Sequence, residues 1–252
     1  MPGRPLADVE IMLSPEARVQ VWGQVGELTR TLHRVTAPWF GPPSFGSAFD
    51  RWTALLAHDV DGFISDAERF ALDAQPFAIL RQAIDDLRDV LDEVTTPSLI
   101  HSDLSPAHIF VDVDRAGQSA VSGLIDLEFG RFADPLSESL FAWFEQERGQ
   151  DSPRSAFLQG YGRERLTENE RIRIRFYVAL SLGWWATLLA WQRRPVADVM
   201  TELTQSLDTL DRLTTGRIGY AAKPRASPPL ATRAGRSPPP PCHAPRSRPA
   251  RH

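Results

Sequence analysis

The chain has 252 residues, of which 42% are hydrophobic, so a single domain with a sizeable core is expected. Its formal net charge is −4, and the single cysteine, Cys242, excludes a disulfide framework and a cysteine metal site. Because the first residues lack the apolar core of a signal peptide, we expect a cytoplasmic protein.

A helix is the first element that the sequence predicts. Ser14, Pro15 and Glu16 form a helix start signal, and apolar residues then recur at helical spacing, at Val21, Val25, Leu28 and Leu32. Gly-Pro-Pro at 41–43 indicates a loop. A second helix is predicted to begin at Pro76, with one apolar face formed by Leu80, Ile84, Leu87 and Leu91.

Three further helices are predicted in the second half of the chain, at 136–148, 170–193 and 196–214, with a loop at 151–153. Residues 176–191 form a predominantly apolar run. A transmembrane helix needs about 20 such residues. The run is shorter than that and carries Tyr and Trp within it, so a buried helix is expected and no membrane association.

Short runs of branched apolar residues at 98–101, 109–111 and 121–125 predict strands. Polar residues follow them, which places Asp103, His108 and Asp126 at strand ends. Such rigid placement suits a carboxylate that accepts a proton from a substrate hydroxyl and an acid that holds a metal ion against phosphate oxygens. A base Asp, then a metal ligand, then a metal-binding Asp after the next hairpin is the order found in kinase phosphoryl transfer.

The segment around these residues resembles the aminoglycoside phosphotransferase family, whose members have a protein-kinase-like fold and phosphorylate antibiotics, choline and other small alcohols. In HSD, Asp103 matches the catalytic Asp and His101 matches a residue that braces the loop. Asp126, in LIDLEFG, matches the Asp that binds magnesium. The resemblance implies an α+β fold over residues 1–219: the mainly helical carboxy-terminal lobe of a kinase, with a small β-hairpin at the catalytic site.

The match departs from the family pattern at His108, where most members carry the Asn that ligates the second metal ion. In carrying a His at this position, the chain resembles macrolide kinases. Magnesium prefers oxygen ligands, so an imidazole implies weaker binding, manganese instead of magnesium, or contact through water. Asp134, Pro135 and Glu138 resemble the family's GDPxxD element, with Ala133 in place of Gly, and are interpreted as residues that brace the lobe.

Three other polar residues are weaker candidates for a site. His33 and His58 are lone histidines, which we expect to be packed or solvated rather than to be ligands. Glu128 is either a further metal or substrate contact or a surface acid.

Two elements of a complete kinase site are missing from the sequence. A kinase needs a glycine-rich loop over the phosphates and a strand Lys. The first forty residues contain no GxGxxG, and the only lysine is Lys223. By the resemblance, MPGRPLADV matches the piece that follows the hinge, and residues 14–41 match the first helix of the large lobe. We therefore expect a carboxy-terminal lobe without its amino-terminal lobe.

The resemblance implies a small-molecule phosphotransferase that moves the γ-phosphate of ATP or GTP, with Mg²⁺ or Mn²⁺, to a hydroxyl of an antibiotic-like or amino-alcohol substrate, and hence a role in antibiotic resistance. One alternative is a non-catalytic remnant that keeps the substrate-binding helices. Another is a metal-dependent hydrolase with His101, Asp103, His108 and Asp126 as ligands, although such sites normally use tighter histidine clusters. The acidic lobe suits a cationic aminoglycoside, whereas His108 favours a macrolide-like acceptor.

The composition changes near residue 220. Residues 221–252 contain nine Pro, six Arg and Lys223 but no acid, which gives this segment a charge of +7 and leaves −11 for the rest of the chain. Such a segment cannot bury enough apolar surface to fold, so a disordered tail is predicted at 220–252. A small-molecule hydroxyl substrate is the expected partner, and no nucleic acid is expected.

Overall fold

The structure, a computed structural model, describes residues 3–43, 48–113, 119–146, 151–163 and 165–214. In chain order its helices and strands are β1 (Arg4–Pro5), α1 (Leu6–Val9), α2 (Pro15–Leu32), α3 (Trp52–Phe70), α4 (Gln75–Asp86), α5 (Arg88–Leu91), β2 (Ser98–Ile100), β3 (Ile109–Val113), β4 (Ser119–Leu124), β5 (Arg131–Ala133), α6 (Ser139–Gln146), α7 (Asp151–Tyr161), α8 (Glu168–Trp191) and α9 (Ala197–Leu213). Short 3-10 turns lie at Glu10–Met12, Leu127–Phe129 and Pro135–Ser137. The predicted tail at 220–252 lies outside the described residues.

Helix α2 begins where the sequence predicts. Ser14 caps it, because its Oγ accepts a hydrogen bond of 3.2 Å from the backbone N–H of Ala17. Pro15 occupies the first helical turn, where its missing N–H breaks no intrahelical bond. Val21 and Val25 on the predicted apolar face are fully buried. Capping and amphipathic spacing therefore account for this helix.

Helices α2 and α7 pack against each other through glycines. A Cβ atom on Gly26 would overlap the backbone oxygen of Phe157, and one on Gly160 would overlap the backbone oxygen of Gly23. Only glycine leaves room for backbones at this distance. The glycines therefore set how closely α7 approaches the carboxy-terminal half of α2.

Two element predictions are wrong. The loop predicted at 151–153 forms the first turn of α7, which tolerates Pro153 because N–H groups in a first turn have no intrahelical acceptor. The continuous apolar helix predicted from Pro76 is interrupted at Leu87, whose φ of −106° and ψ of 15° separate α4 from α5. Its predicted apolar residues are all buried nevertheless, at Leu80, Ile84, Leu87 and Leu91.

The helix predicted at 136–148 begins later in the structure. Asp134 Oδ1 accepts a hydrogen bond of 3.0 Å from the N–H of Leu136, which starts a 3-10 turn, and α6 follows only from Ser139. The predicted end at Arg148 lies outside the described residues. Helices α8 and α9 match their predictions closely, and α3 is an additional helix.

Two small antiparallel sheets carry the strands. In the first, β3 lies between β1 and β4, with Ile109 opposite Leu124 and a register shift at Phe110 and Val111. In the second, β2 pairs with β5, a strand that the sequence pattern does not predict. The strands predicted at 98–101, 109–111 and 121–125 correspond to β2, β3 and β4. A mainly helical α+β fold with a hairpin near the motif is therefore confirmed.

The chain divides into two compact units. The first comprises Met1–Leu56 and Arg88–Val178, and it contains both sheets and the α2–α7 pair. The second comprises Ala57–Leu87 and Ala179–His252, and within its described part α4 packs against α9. All candidate site residues except His58 belong to the first unit.

Helix α8 contains the apolar run 176–191. By length and composition alone it could cross a membrane, and 61% of its most apolar 18-residue window is buried within the protein. Core helices of soluble proteins have the same character, which agrees with the buried helix that the sequence predicts.

Candidate active site

Two loops bring the predicted catalytic residues together. The first follows β2 and leads into β3, and it carries Asp103 and His108. The second follows β4 and carries Asp126. They are joined where the N–H of Ile125 donates to the backbone oxygen of His108 over 3.1 Å, just beyond the Ile109–Leu124 pair. The hairpin thus fixes the separation of the two loops.

The backbone of both loops is unusual. Ser102 has a φ of 69° and Asp126 has a φ of 68°, in the left-handed region that non-glycine residues seldom adopt. Such conformations cost free energy and persist where the surroundings hold them in place. Ser102 directly precedes Asp103, and Asp126 is itself one of the predicted functional carboxylates.

Asp103, His108 and Asp126 form what we term the catalytic cluster. His108 lies between the two acids: its Nδ1 is 3.6 Å from Asp103 Oδ2, and its Nε2 is 3.7 Å from Asp126 Oδ2. The side chains of Asp103 and Asp126 are about half exposed, and that of His108 is 20% exposed. The cluster therefore opens to solvent and can be reached by a ligand.

The proton of His108 is placed by a hydrogen bond. Its Nδ1 lies 2.6 Å from the backbone oxygen of Asp103, and since a carbonyl oxygen only accepts, Nδ1 must donate. In a neutral imidazole this leaves a lone pair on Nε2, which faces Asp126. A backbone carbonyl that holds the other ring nitrogen is a common arrangement for metal-binding histidines.

The pKa of Asp103 is raised above its ordinary value. The main cause is partial burial, which disfavours the charged carboxylate, and nearby Asp126 and Glu138 act in the same direction, whereas His108 and His101 oppose the rise. A raised pKa makes a carboxylate a better proton acceptor. The raised pKa of Asp103 therefore suits the role of a general base.

His101 lies behind the cluster and is fully buried. Its Nε2 is 2.7 Å from the backbone oxygen of Ile125, and its ring is stacked on His108 with centroids 6.0 Å apart. It thus ties the loop of Asp103 to the loop of Asp126. This contact agrees with the bracing role that the resemblance implies.

Asp134 is also a buried structural residue. Its Oδ2 accepts a hydrogen bond of 2.6 Å from Tyr177 and lies 3.0 Å from Arg173 Nε. Trp52 Nε1 in turn donates to Tyr177 Oη over 2.7 Å. The sequence pattern does not single out Arg173 or Tyr177, because both are part of an ordinary helical pattern in α8.

Glu138 is fully buried and accepts hydrogen bonds on both oxygens. Oε2 accepts from the N–H of His101 over 2.6 Å, and Oε1 accepts from the N–H of Ser139 over 3.0 Å. Burial acts to raise the pKa of Glu138, but nearby His33 and these two N–H groups outweigh it, so the pKa lies below its ordinary value. Glu138 is therefore held as an ionised brace.

Among the weaker candidates, His33 is buried, whereas His58 and Glu128 are exposed. In the described part of the chain, no group of three or more His, Cys, Asp or Glu side chains is arranged to hold a metal ion. His101 Nε2 is bonded to a backbone oxygen. The described residues thus do not form the ligand cluster required by the hydrolase interpretation.

The residues present do fit a cation that is shared with a phosphate ligand. Mg²⁺ is commonly bound by one or two protein ligands together with substrate phosphates rather than by an all-protein cage. Asp126 offers a carboxylate, and His108 offers a nitrogen that suits Mn²⁺ better than Mg²⁺.

The described fold is that of the large lobe of a protein-kinase-like phosphotransferase. The model of the phosphotransferase enzyme family matches residues 1–175, and the chain belongs to this family, which includes the aminoglycoside phosphotransferases. The resemblance inferred from the motif is therefore confirmed.

Solved structures give the same fold. A mutant of aminoglycoside 2'-phosphotransferase-IIIa in complex with GDP is 18% identical with a TM-score of 0.52, and the match covers 86% of this chain and 68% of that one. A thermostable mutant of aminoglycoside phosphotransferase APH(4)-Ia in a ternary complex with AMP-PNP and hygromycin B is 18% identical with a TM-score of 0.56, covering 85% and 70%. An apo form of that enzyme has a TM-score of 0.54. No curated protein sequence matches the chain.

Proposed function

We propose that this protein transfers the γ-phosphate of ATP or GTP to a hydroxyl group of a small antibiotic-like or amino-alcohol molecule. The observation that carries the proposal is the catalytic cluster itself, in which His108 lies 3.6 Å from Asp103 and 3.7 Å from Asp126 on two loops fixed by one hairpin. Base and metal ligands in this order are the parts that phosphoryl transfer requires.

In the proposed reaction, Asp103 orients the substrate hydroxyl and accepts its proton. Its half-exposed carboxylate can be reached, and its raised pKa favours proton uptake. Asp126 and His108 would hold Mg²⁺ or Mn²⁺, which neutralises charge on the nucleotide phosphates when it is bound. His101 keeps the two loops together. The N–H at Nδ1 of His108 donates to the backbone oxygen of Asp103, and this hydrogen bond orients the ring.

Two further observations, each weaker than the geometry of the catalytic cluster, support the proposed substrate class. The net charge of −11 over residues 1–220 favours a cation such as an aminoglycoside. GDP and hygromycin B are bound by the two aminoglycoside phosphotransferases of similar fold, which supports a nucleotide donor and a polyhydroxylated acceptor here. A macrolide-like acceptor, favoured by His108, belongs in the same substrate panel.

The test is a phosphate-transfer assay with labelled ATP and GTP against aminoglycosides, macrolides and choline-like alcohols. We expect activity from a chain extended upstream of Met1 if the in-frame sequence supplies a glycine-rich loop and a strand Lys. Asp50→Asn, which removes an exposed carboxylate outside the site, is the matched control for Asp103→Asn. An extended chain that holds nucleotide but phosphorylates nothing in the panel would contradict the proposal.

A non-catalytic remnant is the second candidate, because the only lysine of these 252 residues is Lys223 and no GxGxxG precedes Asp103. Positioning of the phosphates provides most of the catalysis in phosphoryl transfer. We therefore expect the chain Met1–His252 to bind magnesium nucleotide negligibly in a calorimetric titration and to show no turnover. Micromolar affinity would overturn this expectation.

A further inference from the structure

Strand β4 carries a bulge and lies at one edge of its sheet in the described part of the chain. Phe110 of β3 lies opposite Gly123 of β4. The next residue of β3, Val111, lies opposite Val121, so Ser122 is an extra residue on β4. A bulge shifts the alternation of side chains along a strand by one residue and is often found next to an active site. Here β4 leads from the bulge into the second loop of the candidate active site.

A side chain of helix α2 holds β4 at the bulge. The backbone N–H of Val121 donates to Gln24 Oε1 over 2.7 Å. Because an N–H needs an acceptor, the atom of Gln24 that faces it is the amide oxygen and not the nitrogen. An edge strand presents backbone groups that no neighbouring strand satisfies. Gln24 thus supplies an acceptor from outside the sheet, directly beside the extra residue Ser122.

The bulge is also contacted by the segment before β1. Gly3 has a φ of 101°, which favours glycine. A Cβ atom at this position would lie 2.6 Å from the backbone oxygen of Val111 and 2.9 Å from Ser122 Oγ. The backbone of Gly3 therefore packs closely against the bulge, so that α2 and the start of the chain both limit its conformation.

The register beyond the bulge determines a contact between the two catalytic loops. Leu124 lies opposite Ile109, and the next amide, that of Ile125, donates to the backbone oxygen of His108 over 3.1 Å. Asp126 follows, with Oδ2 at 3.7 Å from His108 Nε2. A slip of one residue would turn the side chains of this part of β4 to the other face and break both contacts. Small displacements of reacting groups are costly for catalysis.

We propose that Gln24 is a positioning residue: its side-chain oxygen holds the bulged register of β4 and thereby the spacing between Asp126 and His108. This inference rests on the proposed function for its consequence in catalysis. Gln24 belongs to no motif of the sequence, because the amide that it binds lies 97 residues away along the chain.

The test uses amide hydrogen exchange, measured by NMR on the isotope-labelled full chain, and two substitutions at residue 24. Gln24→Met keeps the length of the side chain but has no oxygen acceptor. Gln24→Glu keeps an acceptor oxygen at the same distance from the backbone. Gln20→Met changes an exposed glutamine of the same helix and is the matched control.

Two amides give the result. That of Val121 reports on the hydrogen bond to Gln24, and that of Ile125 reports on the contact between the catalytic loops. We expect both to exchange about tenfold faster in Gln24→Met, as the loss of one hydrogen bond would give. In Gln24→Glu and Gln20→Met both rates should stay within about threefold of wild type.

An internal reference distinguishes positioning from general destabilisation. The Leu99 amide donates to the backbone oxygen of Val35 over 2.7 Å, and Leu99 belongs to the other sheet. All rates are therefore divided by the exchange rate of Leu99 in the same variant. The ring nitrogen signals of His108 should also shift in Gln24→Met, because the distance between this ring and Asp126 changes.

A normalised Ile125 rate in Gln24→Met that equals that of wild type would overturn the proposal, even if the Val121 rate rises, since Gln24 would then only cap the strand edge. Equal rises in Gln24→Met and Gln24→Glu would overturn it as well, because the side chain would act by packing. If Gln24→Met does not fold, Gln24→Asn, whose amide is one methylene shorter, takes its place. Failure of all three variants to fold would also contradict an acceptor role.

None of these measurements needs turnover. A failure of the phosphate-transfer assay therefore tests the proposed function separately from the role of Gln24 in the register of β4.

Discussion

Two carboxylates near the catalytic loop, Glu138 and Asp103, have pKa values shifted in opposite directions. Glu138 is fully buried and nevertheless has a lowered pKa, because N–H groups and His33 surround it. Asp103 is only half buried and has a raised pKa, because its burial is not fully offset. Donors, rather than depth, decide which carboxylate is stable as an anion. The protein thus stabilises the ionised form of Glu138, which holds the loop. Asp103, which faces solvent, takes up a proton more readily.

A large loss of activity is expected from Asp103→Asn in the extended chain. Loss of a positioned base should lower kcat by about 10²- to 10⁴-fold, whereas Asp50→Asn should leave it unchanged. Labelled-phosphate transfer is the measurement. Near-full turnover by the Asp103 variant would show that this loop does not supply the base.

The same substitution should not destabilise the folded chain. Because the folded-state pKa of Asp103 is raised, the folded protein binds this proton more tightly than the unfolded one, and ionisation lowers stability as pH rises above the ordinary value of 3.8. Asp103→Asn removes that effect. Urea unfolding at pH 7 should therefore give an equal or higher free energy of unfolding, and a clear decrease would contradict the electrostatic comparison.

Substitutions at Asp126 and His108, the two proposed metal ligands, should affect metal-dependent transfer differently. Asp126→Ala should abolish magnesium-dependent transfer, because a carboxylate is the preferred ligand of a hard cation. His108→Asn should keep or improve it, since an amide oxygen replaces the nitrogen. Assays with Mg²⁺ and Mn²⁺ in parallel provide the check. Strong loss in His108→Asn, unrelieved by Mn²⁺, would indicate another role for this ring.

Removal of the Glu138 charge should affect stability and its pH dependence. Glu138→Gln disrupts hydrogen bonds to a buried anion, for which about 1–3 kcal/mol is typical. Because the folded pKa is lowered, the contribution of Glu138 is present above the ordinary value of 4.5 and is lost as pH falls through the folded pKa. The variant should therefore lose less stability than wild type on acidification. Unfolding curves at pH 7 and pH 4 test this, and parallel losses would refute it.

Two substitutions in the glycine contact between α2 and α7 should change stability in opposite directions. Gly26→Ala should cost about 1–3 kcal/mol, because the new Cβ overlaps the backbone of Phe157. Gly23→Ala, on the same helix, places its Cβ 3.8 Å from the backbone oxygen of Ala156, an ordinary contact, and should gain about 0.5–1 kcal/mol from helix propensity. Thermal unfolding compares the pair, and similar values for both would show that the helices readjust.

Several features could be predicted from the sequence because their causes are local. Ser14 and Pro15 start α2 through a cap and a fixed φ. Short runs of branched apolar residues identify β2, β3 and β4. Missed elements have non-local causes: β5 exists because it pairs with β2, and Pro153 lies in a helix because it is in the first turn.

The sequence by itself determined the family, the helical character and the residue types of the catalytic cluster, because a motif specifies both chemistry and spacing along the chain. Only the tertiary structure decided that Tyr161 and His33 meet, 128 residues apart, and that Glu138 binds the amide of His101. These contacts depend on how closely α2 and α7 approach, which glycines set through space. Local patterns carry no information on such distances, since the free energy that fixes them comes from packing between segments remote in the chain.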